Sequence, residues 1–290
     1  MKEMILKKPI VSCWIIFAVL ILVHGFEAIV LRMDETILGE NCINKLFGIV
    51  VLFIVLKLIN WKWTDIGFAR EGLIKSLCIG FGLAIIAFTV SYFVEISILR
   101  SQGHDISFGI FTTGFSLTGE AEVHTGISFI LMCVFFNIVN VLMEEGTFRG
   151  LFYKLTEKNY SMRFALLFQA ILFGIWHIVT PLHNLIDGDI NFLTFVVLGI
   201  GYIILAGLMG IKWGMLYKMT GNLYAGMADH FFNNCFATNL LHVTTETGID
   251  EMMIIRVIIA QLLSFVIVTI VFSRQKSCGL QWKNALRQNP

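Results

Sequence analysis

Charge is what this sequence has least of. Only 14% of its 290 residues are Asp, Glu, Lys or Arg, about half the share of an ordinary soluble domain. That scarcity excludes a soluble globular enzyme, and equally a disordered chain, which stays unfolded through charge and polarity. The 21 basic and 20 acidic residues balance almost evenly, so no electropositive surface is available for a nucleic acid. Proline is nearly missing, with 3 in the whole chain, which leaves long helices uninterrupted. Cys13, Cys42, Cys78, Cys133, Cys235 and Cys278 stand singly, with no CxxC pair. This spacing argues against a disulfide framework and against a cysteine zinc site.

What is present in abundance is apolar: 57% of residues are hydrophobic and the mean hydropathy is +0.81. A bilayer core needs roughly 20 apolar residues per helix. Stretches of that kind run over Pro9–Val30, Ile43–Ile59, Leu73–Leu99, Ile127–Met143, Phe164–Thr180, Phe192–Ile211, Leu223–Leu241 and Met252–Phe272. The first follows Lys2, Lys7 and Lys8 as a signal peptide would. Its apolar run is too long for one and no small-residue cleavage site follows, so it is expected to be retained. The expected fold is all-α: a polytopic bundle of about eight membrane helices, forming one membrane domain over residues 1–290 without linker or repeat.

All of the 21 basic residues except Arg32, Lys45, Arg100 and Arg256 fall on one side of this span pattern. The opposite loops carry Asp34, Glu35, Glu40, Asp105, Glu120, Glu122, Asp187, Asp189, Glu246, Asp250 and Glu251. By the positive-inside rule both termini face the cytoplasm. Asn60–Glu71 mixes Trp61, Trp63 and Phe68 with Lys62 and Arg70, as suits an interfacial stretch on that side. Ser101–Thr125 is the longest loop on the other.

An ionisable side chain inside a span costs roughly 2.5–3.5 kcal/mol on insertion scales, so each needs a reason. Glu27 with His24, and Glu95, lie near the outer ends of spans one and three and are expected to reach the interface. A denser group lies in the second half. Span four ends in Asn137, Asn140, Glu144, Glu145 and Arg149; span five carries His177; span seven carries Asp229, His230, Asn233 and Asn234. Helical spacing divides their tasks. Glu145 and Arg149 stand i,i+4 with the acid first, the favourable order for an ion pair. Glu144 is rotated about 100° away and is expected to be free for chemistry. Phe173 and His177 repeat the i,i+4 spacing, which lets the ring pack beneath the imidazole. So do His230 and Asn234, which present polar groups on one face.

Two mechanisms fit these residue types. Glu144 and His177 can activate a water as general base, with His230 and Asn234 donating to the oxyanion of an attacked carbonyl. Alternatively Glu144, His177 and His230 supply the Glu-plus-two-His set of a catalytic zinc. The cofactor is accordingly none, or zinc. Asn234 is a natural oxyanion donor and a poor zinc ligand, which favours the metal-free account. Other intramembrane protease signatures are missing: there is no HExxH, no serine in a GxSG context, and Asp187-Gly188-Asp189 falls in a loop.

Taken together, Glu144-Glu145-xxx-Arg149, Phe173-xxx-His177 and His230-xxx-Asn234 resemble the three motifs of the CPBP intramembrane proteases. That family is also known as CAAX prenyl endopeptidase, Abi or Rce1-like. The resemblance covers about residues 128–241; the first three spans match only as generic helices. It implies catalytic Glu144, His177, His230 and Asn234, with Glu145, Arg149 and Phe173 in support, in a cavity open to the cytoplasmic leaflet. It also implies a peptide or membrane-protein substrate in the bilayer. Relatives remove the last residues of prenylated CAAX proteins or serve bacteriocin self-immunity and peptide maturation. A compact chain rich in Ile, Phe, Lys and Asn points to a bacterial plasma membrane. The sequence ends Gln288-Asn289-Pro290, which is not a CAAX box. A non-catalytic immunity or interaction protein and a proton-coupled transporter are the readings from other classes. One geometric demand follows from the spans. Glu144 ends span four, whereas His177 lies about 20 Å into span five, so both helices are expected to continue beyond the bilayer by at least two turns.

Overall fold

The computed structural model describes residues 2–33, 41–113 and 123–288, with side chains through 275. Asp34, Glu35, Glu40, Glu120 and Glu122, the side chains of Lys276, Cys278, Lys283 and Arg287, and the last two residues lie outside the described residues. The chain is a helix bundle in the order α1 Lys2–Lys7, α2 Pro9–Phe26, α3 Ile43–Ile59, α4 Leu73–Ser101 and α5 Ile127–Glu144. It continues with α6 Tyr153–Glu157, α7 Met162–Trp176, α8 Val179–Asp187, α9 Phe192–Thr220, α10 Tyr224–Phe231 and α11 Met253–Gln288. Wider π-type turns extend α2 over Glu27–Leu31, join α5 to α6 over Glu145–Phe152, and extend α10 over Phe232–Thr238. Among the described residues six helical stretches are long and apolar enough to cross a membrane. α3, with 17 residues, and the α10 segment are shorter helices within the same bundle.

Apolar side chains such as Leu22, Phe93, Leu131, Ile171 and Leu193 point outward from the bundle, as they must in a helix solvated by lipid. Inside, association rests on close backbone approach at small residues. A Cβ on Gly80 of α4 would stand 2.1 Å from the Ala225 carbonyl oxygen of α10. One on Gly174 of α7 would stand 2.6 Å from the Ile203 carbonyl oxygen of α9. Helix ends follow local chemistry. Ser161 caps α7 by accepting from the Phe164 amide, and Asn191 caps α9 by accepting from Thr194. Gly221, at φ 77°, closes α9 in the left-handed region that glycine adopts without strain.

The loops sort to two ends. At one end the Asn159 side chain donates to the Leu6 carbonyl, Asn222 donates to the Glu71 carbonyl, and Lys158 lies over the Trp61 ring. These contacts gather the basic N-terminus, the Asn60–Glu71 stretch and the turns before α7 and α10. At the other end Arg32 pairs with Asp187, and strand β1 (Ser107–Ile110) pairs antiparallel with β4 (Leu241–Thr244), Ser107 opposite Thr244. Two further short strands, β2 (Thr112–Thr113) and β3 (Val123–His124), pair beside them. This small amount of sheet in the loops is not part of the all-α expectation.

Several expectations need correction. Span four does not end at Met143: the helix runs on through Glu157, because Glu144 through Tyr153 are all buried against other helices. Span six likewise continues past Ile211 to Thr220, with Lys212 buried inside the bundle rather than in a loop. Glu27 and Glu95 do not reach the interface. Glu27 is buried and accepts from the Ile43 and Asn44 amides and the Asn44 side chain, capping α3. Glu95 is buried and pairs at 3.0 Å with Arg256 of α11. Each buried charge has thus found a partner, as intramembrane charge must.

Candidate active site

The continuation of α5 through α6 resolves the height problem. Glu144 lies 13 residues before Glu157, and His177 lies 15 residues after Met162, on the two arms of one hairpin. At 1.5 Å per residue both stand about 20 Å from its turn. Only the fourth span is longer than expected: its helix runs on to Glu157, whereas α7 starts at Met162, two residues before the expected Phe164. His177 is the residue at which α7 ends, and its Nδ1 donates to the Phe173 carbonyl at 2.8 Å. That bond consumes the Nδ1 proton and leaves Nε2 as the nitrogen able to accept. The two rings meet edge to face with centroids 4.6 Å apart.

Glu144 is not left unpaired. Its Oε1 accepts from Lys45 Nζ at 2.9 Å and from the Trp176 indole at 3.0 Å. Its Oε2 is buried, has no hydrogen-bond donor within the protein, and stands 3.6 Å from His230 Nε2. Glu145 faces the other way. Its Oε1 accepts from His230 Nδ1 at 3.0 Å, and its Oε2 lies 3.5 Å from Arg149 Nε. The Arg149 guanidinium is completely buried and is held between aromatic faces, 3.8 Å from the Phe173 centroid and 4.7 Å from that of Trp213. Such cation–π contact partly replaces lost water. His230 stacks on the opposite part of the cluster, its ring 4.0 Å from Trp213 at 15°.

Asn234 comes from the next turn after His230, where Nδ2 approaches His230 Nε2 at 3.1 Å and Oδ1 accepts from Asn233 at 2.7 Å. Asp229 accepts from the Trp213 indole at 2.7 Å and pairs with Lys212 at 2.5 Å. All of Glu144, Glu145, Arg149, Phe173, His177, His230 and Asn234 therefore meet in one buried cluster. The expectation that Glu145 pairs with Arg149 is met as an ion pair. Glu145 also holds His230, which spacing along one helix could not reveal. Lys45 and Trp176 are the residues that sequence reasoning missed. Lys45 is 99 positions from Glu144, and nothing local distinguishes it from a loop lysine. Lys212, read as a loop residue because the apolar run ends at Ile211, pairs with Asp229 inside the bundle.

Zinc can be tested against this donor set. Among the described residues no group of three or more His, Cys, Asp or Glu side chains is arranged to hold a metal ion. Glu144 Oε1 is already engaged by the Lys45 ammonium, which would face any second cation, and His230 Nε2 is shared with Asn234. As arranged, the residues do not fit a zinc ion.

Residues 126–236 match the family model of the type II CAAX prenyl endopeptidases, described as Rce1-like. Over that segment the chain is similar to the Rce1-like CAAX protease family. Every motif residue from Glu144 to Asn234 falls inside the matched segment, whereas Lys45 on α3 lies outside it. No curated protein matches the chain. The similarity supports the CAAX-type protease reading, and the six membrane-length helices fit a multi-pass membrane bundle.

Proposed function

We propose that this Rce1-like protein hydrolyses a peptide bond with a water activated by Glu144 and His177. The observation that carries the reading is Glu144 Oε2: a buried carboxylate oxygen with no donor in the protein, whose partner oxygen is fixed by Lys45 and Trp176. An oxygen so placed can take the proton of an attacking water. His177 Nε2, left as an acceptor by the Phe173 carbonyl, orients the same water. Asn234 Nδ2 has a second N–H beyond the one given to His230, and this donates to the developing oxyanion. His230 joins it once Nε2 is protonated; Glu144 Oε2, 3.6 Å away, can hand that proton over. The imidazolium then formed is balanced by Glu145 at 3.0 Å, the orienting role of a carboxylate behind a histidine. From Nε2 the proton reaches the leaving amine.

The substrate in this reading is the C-terminal region of a membrane-associated peptide or protein, prenylated or not. Peptide maturation or bacteriocin self-immunity is the proposed setting. We also place eight helical segments in a bacterial plasma membrane, with both termini and the basic end in the cytoplasm. The ion pairing of Lys45 with Glu144 and of the buried Arg256 with Glu95 supports this orientation, since it removes two of the four exceptions to the positive-inside pattern. The test is mass spectrometry of products from a farnesylated C-terminal CAAX peptide and its unprenylated twin, using purified protein in detergent. Wild type is expected to release a C-terminal fragment, and Glu144→Ala and His177→Ala to release none. Activity surviving both substitutions would overturn the mechanism. Equimolar bound zinc, lost together with activity on chelation, would overturn its metal-free form.

A further inference from the structure

Behind the reacting groups runs a line of buried hydrogen bonds that the mechanism above does not use. Lys212 Nζ donates to Gln261 Oε1 at 2.6 Å, and Gln261 Nε2 donates to Asn233 Oδ1 at 2.9 Å. Asn233 Nδ2 donates to Asn234 Oδ1 at 2.7 Å, Asn234 Nδ2 meets His230 Nε2 at 3.1 Å, and His230 Nδ1 meets Glu145 Oε1 at 3.0 Å. The line crosses from α9 to α11, to the turn after α10, and on to the end of α5. Three amides and one imidazole stand in it, and each can be turned end for end by exchanging its donor and acceptor.

The ends cannot be turned. A lysine ammonium only donates and a carboxylate only accepts. Lys212 spends its remaining donors on Asp229, at 2.5 Å, and on Ser264 Oγ, at 2.9 Å, so it is saturated and stationary. With Gln261 Oε1 fixed on Lys212, each later group has one allowed orientation, and reversing any single link sets two donors or two acceptors face to face. Such a mismatch leaves buried polar groups unsatisfied, at a cost of about 1–3 kcal/mol each.

We infer that Lys212 is a positioning residue: through Gln261 and Asn233 it turns the Asn234 amide so that Nδ2 donates to His230 Nε2, which keeps that nitrogen unprotonated while Nδ1 donates to Glu145. Its effect on turnover rests on the proposed peptidase mechanism, in which Nε2 must be free to receive the proton. The tautomer itself is measurable without any substrate.

The experiment is ¹⁵N NMR of histidine-labelled protein in detergent, with the His230 resonances assigned by their loss in His230→Gln. Wild type is expected to show a protonated Nδ1 and an unprotonated Nε2; a protonated Nε2 would overturn the inference with no variant needed. Gln261→Glu keeps an acceptor for Lys212 but has no donor for Asn233. Both asparagine amides then turn over, Asn234 presents Oδ1, and Nε2 is expected to take up a proton while Nδ1 keeps its own on Glu145, giving an imidazolium. An unchanged spectrum in this variant would overturn the relay. Gln261→Leu retains the Lys212–Asp229 pair and guards against a folding artefact; there both asparagine amides can turn, and His230 is expected to be a mixture of the Nδ1-protonated neutral form and the imidazolium. Turnover of Gln261→Glu should fall about tenfold or more in kcat, with KM little changed, since an Nε2 that already carries a proton cannot take the one from Glu144. A protonated Nε2 with wild-type kcat would overturn the positioning role. A wild type with the expected tautomer and no peptidase activity would instead refute the proposed function while leaving the relay standing.

Discussion

Lys45 offers a demanding test, because no motif contains it. Replacing it by methionine keeps most of the side-chain volume and removes the ammonium that stands 2.9 Å from Glu144 Oε1. Two unit charges at 2.9 Å attract by about 6 kcal/mol at an effective dielectric constant of 20. Much of that is offset by desolvation, and breaking a pair of this kind typically costs about 3–5 kcal/mol. If the whole loss falls on the anionic carboxylate that must accept the proton, kcat drops by roughly two to four decades. That range matches the 10²–10⁴ a general base contributes, as it should if Lys45 acts only through Glu144. The assay is peptide release in detergent by Lys45→Met, Glu144→Gln and the double variant, with Lys45→Arg as the charge-keeping control. The double variant is expected to be no slower than Glu144→Gln alone, and Lys45→Arg to retain most of the activity. Lys45→Met within about threefold of wild type, or losses that multiply in the double variant, would refute the coupling.

Two further outcomes follow from packing and charge elsewhere. Gly80→Ala drives a Cβ to 2.1 Å from the Ala225 carbonyl, an overpacking worth about 1–3 kcal/mol. It should lower Tm and, by displacing α10 with His230, turnover as well; Gly82→Ala, which meets nothing within 4 Å, should change neither. At the turn before α11, burial alone would raise the Asp250 carboxyl. The hydrogen bond from His242 and the charge and hydrogen bond of Arg256 outweigh it and hold the carboxyl below the ordinary aspartate range. A carboxyl lowered on folding stabilises the protein above its unfolded value, near pH 4, and that contribution is lost as pH falls through the folded value. Thermal unfolding of wild type should therefore weaken below about pH 4. Asp250→Asn should lower Tm at neutral pH and flatten this acid limb; an unchanged acid limb would refute the assignment.

The bundle was legible because its two signals are strong: apolar runs of membrane length and charges too few to be incidental. Helix spacing alone also selected Glu144, Glu145, Arg149, His177, His230 and Asn234, which the fold brings together. What it misplaced were helix ends. The run from Glu144 to Arg149 reads as the close of a span, yet its polar side chains face other helices rather than water, so hydropathy has no reason to change there in space. Lys212 was assigned to a loop for the same reason. A lysine near the end of an apolar run looks the same whether it meets water or a carboxylate on another helix. The pairing of Glu145 with His230, 85 positions apart, and the relay through Gln261 depend on which helices neighbour one another. One chain's periodicity does not encode that.

The central claim is that the Glu144 carboxylate activates the attacking water. Its most direct test is the turnover number of Glu144→Gln on a peptide that wild type cleaves. The substitution keeps size and shape while removing the basic oxygen. The account predicts a fall in kcat of about 10²–10⁴, with the protein still folded by Tm. A Glu144→Gln variant that cleaves at the wild-type rate would contradict it.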